Sequence, residues 1–254
     1  MHKFIKAHAF IAIFILIGMT GLLIFNLFPE IDIICANYFY SPHLSFYLKH
    51  NWWLENFIHI YIKYSIILFV ILIYIVIFYK KYLLKYIPKY HLGTNHISTN
   101  QRCKPDHNNL NFIKNINSRV MIISLITTIL IPITISILKR FSSHSCPWDL
   151  LIYAGGQKLI EWWEYAPNVS GKCFPAGHAA TGLCIMGISI IFYAQNNIKY
   201  TRCFYILGIA AGLILGIAQQ ARGAHFLSHT LASVYIACSI TNIGIYIAKK
   251  YALK

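Results

Sequence analysis

Apolar residues run along the chain in six long stretches separated by polar segments. About 20 apolar residues in a helix are enough to cross the hydrocarbon core of a membrane. The pattern therefore predicts an all-α membrane protein, a bundle of six transmembrane helices that forms one domain over residues 1–254. The predicted spans are Ala9–Phe28, Ile60–Tyr79, Val120–Leu138, Gly177–Ala194, Cys203–Ala218 and Thr230–Ala248.

The first stretch has one alternative interpretation, because Lys3 and Lys6 precede it as basic residues precede the apolar core of a signal peptide. A run of about 20 apolar residues is longer than the apolar core of most signal peptides. The following Phe28, Pro29 and Glu30 offer no small-residue cleavage site. We therefore expect an uncleaved helix.

Positive charge is unevenly distributed between the two sides of the predicted bundle. With the N-terminus inside, most Lys and Arg residues fall in the N-terminal segment, in the long segment 80–119, between spans four and five, and in the C-terminal tail. This is the positive-inside pattern, so the net charge of +15 indicates orientation rather than a nucleic-acid partner. It predicts cytoplasmic N- and C-termini, a cytoplasmic loop at 80–119 beside anionic lipid headgroups and, in a bacterium, the inner membrane.

Acidic residues show the opposite bias and fall almost entirely on the outer, periplasmic side. They are Glu30, Asp32, Glu55, Asp149, Glu161 and Glu164. Cys35, Cys146 and Cys173 lie on the same side, where an oxidising compartment permits a disulfide. Cys146 and Cys173 would then staple one loop, although two separate thiols are an equally good interpretation.

The candidate chemistry begins with the stretch Cys173–Gly182, a loop that leads into the fourth predicted span. Free N–H groups in the first turn of a helix, with the positive end of its dipole behind them, form a seat for a phosphate. The backbone of Ala176 and Gly177 would supply this seat. His178, next to it, could donate a proton.

Two further polar clusters emerge on the same side of the membrane. Lys139, Arg140 and His144 follow the predicted end of span three, where the positive-inside bias disfavours cations. The segment 219–229 precedes span six and contains Arg222, His225 and His229. Cations and a helix start can hold a phosphate, one histidine can attack phosphorus, and another can protonate the leaving oxygen. This chemistry requires neither a metal nor another cofactor.

These three clusters resemble the signatures of the type 2 phosphatidic acid phosphatase superfamily, written KxxxxxxRP, PSGH and SRxxxxxHxxxD. Lys139 and Pro147 match the first signature, with Cys146 at the arginine position. Pro175-Ala176-Gly177-His178 matches the second except for the serine. The resemblance covers about residues 139–229, and it implies His178 as the general acid and Lys139, Arg140, His144, Arg222, Ala176 and Gly177 as phosphate-binding groups.

The third signature fits the chain in two registers. In the first, His225 is the nucleophile, Gln219 replaces the arginine, and His229 replaces the aspartate that orients the nucleophile. In the second, His229 is the nucleophile and Arg222 the arginine, but the spacing is off by one residue. We prefer the first register.

The resemblance therefore implies a membrane phosphatase or phosphotransferase that acts on a lipid phosphate at the periplasmic face. Lipid A, undecaprenyl pyrophosphate and phosphatidylglycerol phosphate are the candidate substrates, with lipid A favoured. The alternatives are a small transporter and a catalytically inactive scaffold with the same helix bundle. A transporter would carry ionisable residues at membrane depth along several helices, whereas Lys63 is the one charged residue inside a predicted span.

Overall fold

The computed structural model describes residues 16–83 except for positions 17, 22 and 26, and residues 116–160 and 171–252. After a helix at Gly18–Phe25, the α-helices in these ranges are α1 (Glu30–Asn37), α2 (Lys63–Phe78), α3 (Ser118–Phe141), α4 (Gly177–Leu183), α5 (Ser189–Ala194), α6 (Ile198–Ala221) and α7 (Leu227–Ala252). The π-helical segments Trp53–Ile62 and Tyr79–Leu83 extend α2 at its two ends, and the 3₁₀ segment Cys184–Ile188 joins α4 to α5. Two short antiparallel strands, β1 (Tyr40–Ser41) and β2 (Ser45–Phe46), form a hairpin.

Five helices among the described residues are long and apolar enough to cross a membrane. They are Trp53–Tyr82, Ser118–Phe141, Gly177–Ala194, Ile198–Ala221 and Leu227–Tyr251. A sixth span is reached if Gly18–Phe25 and α1, which are bent by 73° from each other, count as one broken span. The predicted all-α membrane bundle is confirmed, although the predicted first span, Ala9–Phe28, lies partly outside the described residues.

Several predicted span boundaries differ from the structure. Helix α3 continues to Phe141, so Lys139 and Arg140 lie in its last turn rather than in the loop that follows. Cations are favourable there because the carboxyl end of a helix carries partial negative charge. Helix α6 is also longer at both ends than predicted. The predicted cytoplasmic loop falls mostly on residues 84–115, outside the described part of the chain.

The span Gly177–Ala194 is the most enclosed of the five and packs against α3, α6 and α7. Gly208, Gly212 and Gly216 lie at four-residue steps and so form a glycine face on α6, which permits this packing. A Cβ atom on Gly212 would lie only 2.5 Å from Leu183 Cγ. Since a larger residue would push the two helices apart, this contact confirms close packing at the glycine face.

A small apolar cluster covers the end of the bundle where α6 and α7 meet. Its buried members are Ala36, Phe46, Leu150, Tyr153 and Phe226. The aromatic residues of segment 29–56 are therefore divided: Tyr38, Trp52 and Trp53 are exposed, whereas Phe46 is buried. Gly223 has a φ of 76°, and a Cβ atom there would lie 2.5 Å from Phe46 Cγ, so the turn before α7 requires glycine.

Candidate active site

Five histidines form a continuous row at one end of the bundle. The ring centroids of neighbours are 4.2 Å apart for His59 and His178, 6.2 Å for His178 and His225, and 5.7 Å for His225 and His229. His144 continues the row 6.5 Å from His229. The side chains of the row come from four separate segments of the chain. These segments meet because successive spans run in opposite directions, so the end of one span and the start of the next lie on the same side. The predicted convergence of the three polar clusters is thus seen in the structure.

Helix α4 positions His178 in its first turn, directly after Gly177. The N–H groups of these two residues have no helical acceptor, as at every helix start. The N–H of Ala176 has a different role from the predicted one, because it donates to the carbonyl of His229 at 3.1 Å. Ala176 therefore ties α4 to α7 rather than contributing a donor to a phosphate seat.

His225 and His229 come from the turn before α7 and from its first turn. Both imidazoles are almost completely buried, with 2% and 3% of their surface exposed. The Ser233 hydroxyl donates to the carbonyls of both Ala176 and His229, at 3.0 and 3.1 Å. These bonds hold the two histidine-bearing helix starts in one fixed arrangement, as the preorganisation of an active site requires.

Burial is the main cause that holds the pKa of His225 well below its ordinary value. The nearby His229, Lys139 and His178 lower the pKa further, because each disfavours a second positive charge beside it. Burial likewise lowers the pKa of His144. His225 is therefore neutral at physiological pH, with a ring nitrogen lone pair, which is the form that a nucleophile needs.

A disulfide joins Cys146 to Cys173, with their Cα atoms 5.3 Å apart. This pairing, one of the two interpretations left open by the sequence, links the loop after α3 to the segment that leads into α4. A backbone hydrogen bond reinforces the link, since the N–H of Cys173 donates to the carbonyl of His144 at 2.9 Å. Cys173 Sγ also lies 3.7 Å from His225 Nδ1. The disulfide thus forms part of the wall around the histidine row.

Cys173, His225 and His229 are the group of described residues that most resembles a metal site, with donor atoms within 4.8 Å of one another. A metal binds the thiolate form of cysteine, but the sulfur of Cys173 is bonded to Cys146. With the disulfide formed, two imidazoles remain, fewer than the three protein ligands of an ordinary catalytic zinc site.

Lys139 is brought into the site from the last turn of α3. Its Nζ lies 3.8 Å from the position that a Cβ atom on Gly177 would occupy. Its ammonium group therefore faces the helix start beside His178. Arg140, one residue further, is exposed and lines a separate groove on the outer face of α3 with Pro132, Ile133, Ser136 and Ile137. The structure thus brings Lys139 to the histidine row but not Arg140.

Arg222 lies beside the row, but its guanidinium is already engaged. It donates to the backbone carbonyl of Lys49 at 3.0 Å and to Gln219 Oε1 at 3.3 Å. It also pairs with Glu55 at 3.0 Å and contacts His59 Nδ1 at 3.3 Å. A guanidinium has about five N–H donors, so little capacity remains for the predicted phosphate contact.

His59 is a member of the row that the sequence interpretation missed, because His59 and Glu55 precede the predicted start of span two. The structure extends that helix back to Trp53 and so places both residues on its first turns. An arginine can only donate hydrogen bonds. His59 Nδ1 must therefore accept from Arg222, which leaves the proton of a neutral ring on Nε2. The four-residue spacing of Glu55 and His59 on one helix face was the available signal.

Asp32 is the second residue that was missed. It is buried, and its carboxylate accepts hydrogen bonds from the N–H of Ser228 at 2.9 Å and from the Ser228 hydroxyl. A cavity of about 40 Å³ beside this contact is lined by Asp32, His144 and His229 among others. Asp32 thus caps the helix that carries His229, and a carboxylate is favourable at that position because the helix start carries partial positive charge.

Comparison with known proteins agrees with this arrangement. The sequence model of the PAP2 superfamily matches residues 120–252, and the chain belongs to this superfamily, that of the type 2 phosphatidic acid phosphatases. Its members are phosphatases of phosphoester substrates, which supports a phosphoric ester hydrolase. The search of curated proteins and the search of solved structures returned no match. His59, Glu55 and Asp32 all lie outside the matched region.

Proposed function

We propose that the protein is a membrane phosphatase or phosphotransferase that cleaves a phosphomonoester or pyrophosphate bond of a lipid through a phosphohistidine. The observation that supports this most is the 6.2 Å separation of the His178 and His225 rings at the end of a membrane bundle. A nucleophile and an acid that each approach phosphoryl atoms to about 3 Å require a gap of this size.

His225 is the proposed nucleophile. Its neutral ring nitrogen forms a bond to phosphorus while the bond between phosphorus and the lipid oxygen breaks. His178 gives its proton to the departing oxygen. Water, or a second acceptor hydroxyl, then attacks the phosphohistidine and returns a proton to His178, so the enzyme is restored and phosphate is released or transferred.

Lys139 is the proposed counterion for the equatorial phosphoryl oxygens, together with the N–H groups of Gly177 and His178. A preorganised cation in a site with little water stabilises developing negative charge more than it would in solution. His229 occupies the position of the family's aspartate and lies 5.7 Å from His225, ring to ring. It is the proposed orienting group, as the first of the two registers implies.

A lipid is the proposed substrate class because the histidine row lies where the spanning helices end, at the depth of lipid headgroups. Charge supports the periplasmic face of a bacterial inner membrane, since the opposite end of the bundle carries the excess of Lys and Arg. Lipid A, undecaprenyl pyrophosphate and phosphatidylglycerol phosphate types are the candidates, and lipid A remains the favoured one.

The proposal is tested by phosphate release from a panel of these three lipids in proteoliposomes that contain the purified protein. We expect release by the wild type, and losses of about 10²- to 10⁴-fold in kcat in His178→Ala, the range for removal of a general acid. His225→Ala should be inactive. His43→Ala, at an exposed histidine outside the row, is the matched control. The proposal fails if the wild type releases phosphate from none of the lipids, or if His178→Ala and His225→Ala both retain its rate.

A further inference from the structure

A cleft lies at the end of the bundle opposite the histidine row. Its volume is about 470 Å³, and it lies between the start of α6 and the end of α7. Its lining residues are Tyr193, Ile198, Thr201, Arg202, Tyr205, Ile206, Asn242, Ile245, Tyr246 and Lys249. Arg202 and Arg222 are 20 residues apart on one continuous helical path, or about 30 Å at 1.5 Å per residue. The cleft is therefore separate from the proposed active site.

The polarity of the cleft changes with depth. Arg202 lies in the second turn of α6 and Lys249 in the last turn of α7, so both cations stand at the same rim. One turn deeper, toward the middle of the membrane, are Ile206 and Ile245. The cleft thus has a cationic mouth at headgroup depth and an apolar wall below it, which is the complement of a lipid with an anionic headgroup.

Neutral hydrogen-bonding groups lie between these two zones. The Tyr205 hydroxyl donates to Asn242 Oδ1 at 3.4 Å, so the Asn242 amide nitrogen remains a donor for another acceptor. Both side chains are half-buried in the wall of the cleft. They suit the glycerol ester oxygens of a phospholipid, which lie between its phosphate and its chains.

The most obvious alternative occupant of the cleft is the chain's own segment 84–115, and the charge of the cleft argues against it. Among the described residues the four carboxylates, Glu30, Asp32, Glu55 and Asp149, all belong to the opposite end. The rim cations therefore have no acidic partner there within the described ranges. The chain's own segment 84–115 contains five Lys or Arg residues and one Asp, so its net positive charge is repelled by the same rim.

We propose that this cleft binds an anionic phospholipid of the adjacent leaflet, with its phosphate between Arg202 and Lys249 and an acyl chain along Ile206 and Ile245. Basic pockets between spanning helices are suited to such headgroups. The bound lipid would join α6 to α7 at the end remote from the histidine row and so stabilise the bundle. This inference does not depend on the proposed phosphatase activity.

The test is thermal unfolding of the purified protein in neutral detergent, with added phosphatidylglycerol or phosphatidylcholine of identical acyl chains. A ligand that binds the folded state raises the midpoint as its concentration passes the Kd. We expect phosphatidylglycerol to stabilise the wild type at concentrations where phosphatidylcholine does not. The double variant Arg202→Gln, Lys249→Gln should bind phosphatidylglycerol about 25-fold more weakly, roughly fivefold for each cation near an anionic headgroup.

The matched control is Lys199→Gln, Lys250→Gln, which removes the same charge from exposed neighbours that do not line the cleft. It should retain the affinity of the wild type. Equal effects of the two lipids on the wild type, or equal losses in the two double variants, would overturn the proposal. Stabilisation by glycerophosphoglycerol or inorganic phosphate equal to that by the lipid would also overturn it, because the cleft would then be a phosphate site without a role for acyl chains.

Discussion

The carboxylate of Asp32 accepts two hydrogen bonds from Ser228, although 196 residues separate the two. Ser228 lies between His225 and His229, at the start of α7. This contact connects α1 to the start of α7, where both histidines lie. Helix α1 is outside the region that matches the family. Asp32 also lines the same small cavity as His229, which stands where the family signature has an aspartate.

Asp32→Asn should lower both stability and activity. The substitution replaces a charged acceptor by an amide of the same shape, and hydrogen bonds to charged groups are worth about 1.5–3 kcal/mol. We expect a lower thermal midpoint and a lower kcat with a nearly unchanged KM, because the histidines rather than the substrate contacts are displaced. Glu30→Gln, on the exposed face of the same helix, is the control. Equal behaviour of the two variants would show that the Ser228 contact does not position the site.

The two registers of the third motif make opposite predictions for the covalent intermediate. Because His225 is the neighbour of His178 in the row, His225→Gln should abolish the acid-labile phosphoenzyme formed from radiolabelled substrate. His229→Gln should still form it, at a lower rate, because an orienting group is lost rather than the nucleophile. Loss of the phosphoenzyme in His229→Gln alone would establish the second register.

His59→Phe tests the residue that extends the row into the second membrane span. Phenylalanine retains the ring contact with His178 but cannot accept from Arg222, and a buried donor left unsatisfied costs about 1–3 kcal/mol. We expect a lower unfolding midpoint and a reduced kcat, measured by phosphate release. His43→Phe makes the same substitution at an exposed histidine and should change neither quantity. An unaltered His59→Phe enzyme would exclude His59 from the site.

Reduction of the disulfide should destabilise the protein strongly. Cys146 and Cys173 are 27 residues apart, and closing a loop of that length is worth about 3–4 kcal/mol in the chain-entropy model. Reductant should therefore lower the thermal midpoint of the wild type but not that of Cys146→Ser, which has already lost the bond. Cys203→Ser, at an exposed free cysteine, should respond to reductant as the wild type does. A wild-type midpoint that is insensitive to reductant would contradict this role.

Stability should decrease as the pH falls below about 6.5, the ordinary pKa of histidine. The pKa of His225 is lowered in the folded protein, so below pH 6.5 the unfolded chain binds a proton that the folded chain does not. The free energy of unfolding then falls by up to about 1.4 kcal/mol per pH unit for this residue, until the pH reaches the folded pKa. His225→Gln should show a shallower slope between pH 6.5 and 4.5. An identical slope would show that His225 is not buried in its neutral form.

The sequence determined the class of fold and the central chemistry of this protein. Apolar stretches of spanning length require helices in a membrane, because backbone polar groups there must be satisfied within their own segment. Successive spans run in opposite directions, so the end of one span and the start of the next lie on the same side of the membrane. The positions of Lys139, His178 and His225 relative to the predicted spans were therefore enough to place them in one candidate site. The sequence also places Gly208, Gly212 and Gly216 on one face of α6, because residues at four-residue steps in a helix share a face.

The tertiary structure decided which neighbours these residues have. Asp32 and His59 contact residues of the site that are more than 100 positions away in the sequence. A local sequence pattern does not reveal such contacts. The N–H of Ala176 and the guanidinium of Arg222 were suitable phosphate donors by type, but packing gave them other partners. Arg140 turned to the outer face because consecutive helical residues point in directions about 100° apart. Residue type is a property of the sequence, whereas the availability of a donor depends on what packing places beside it.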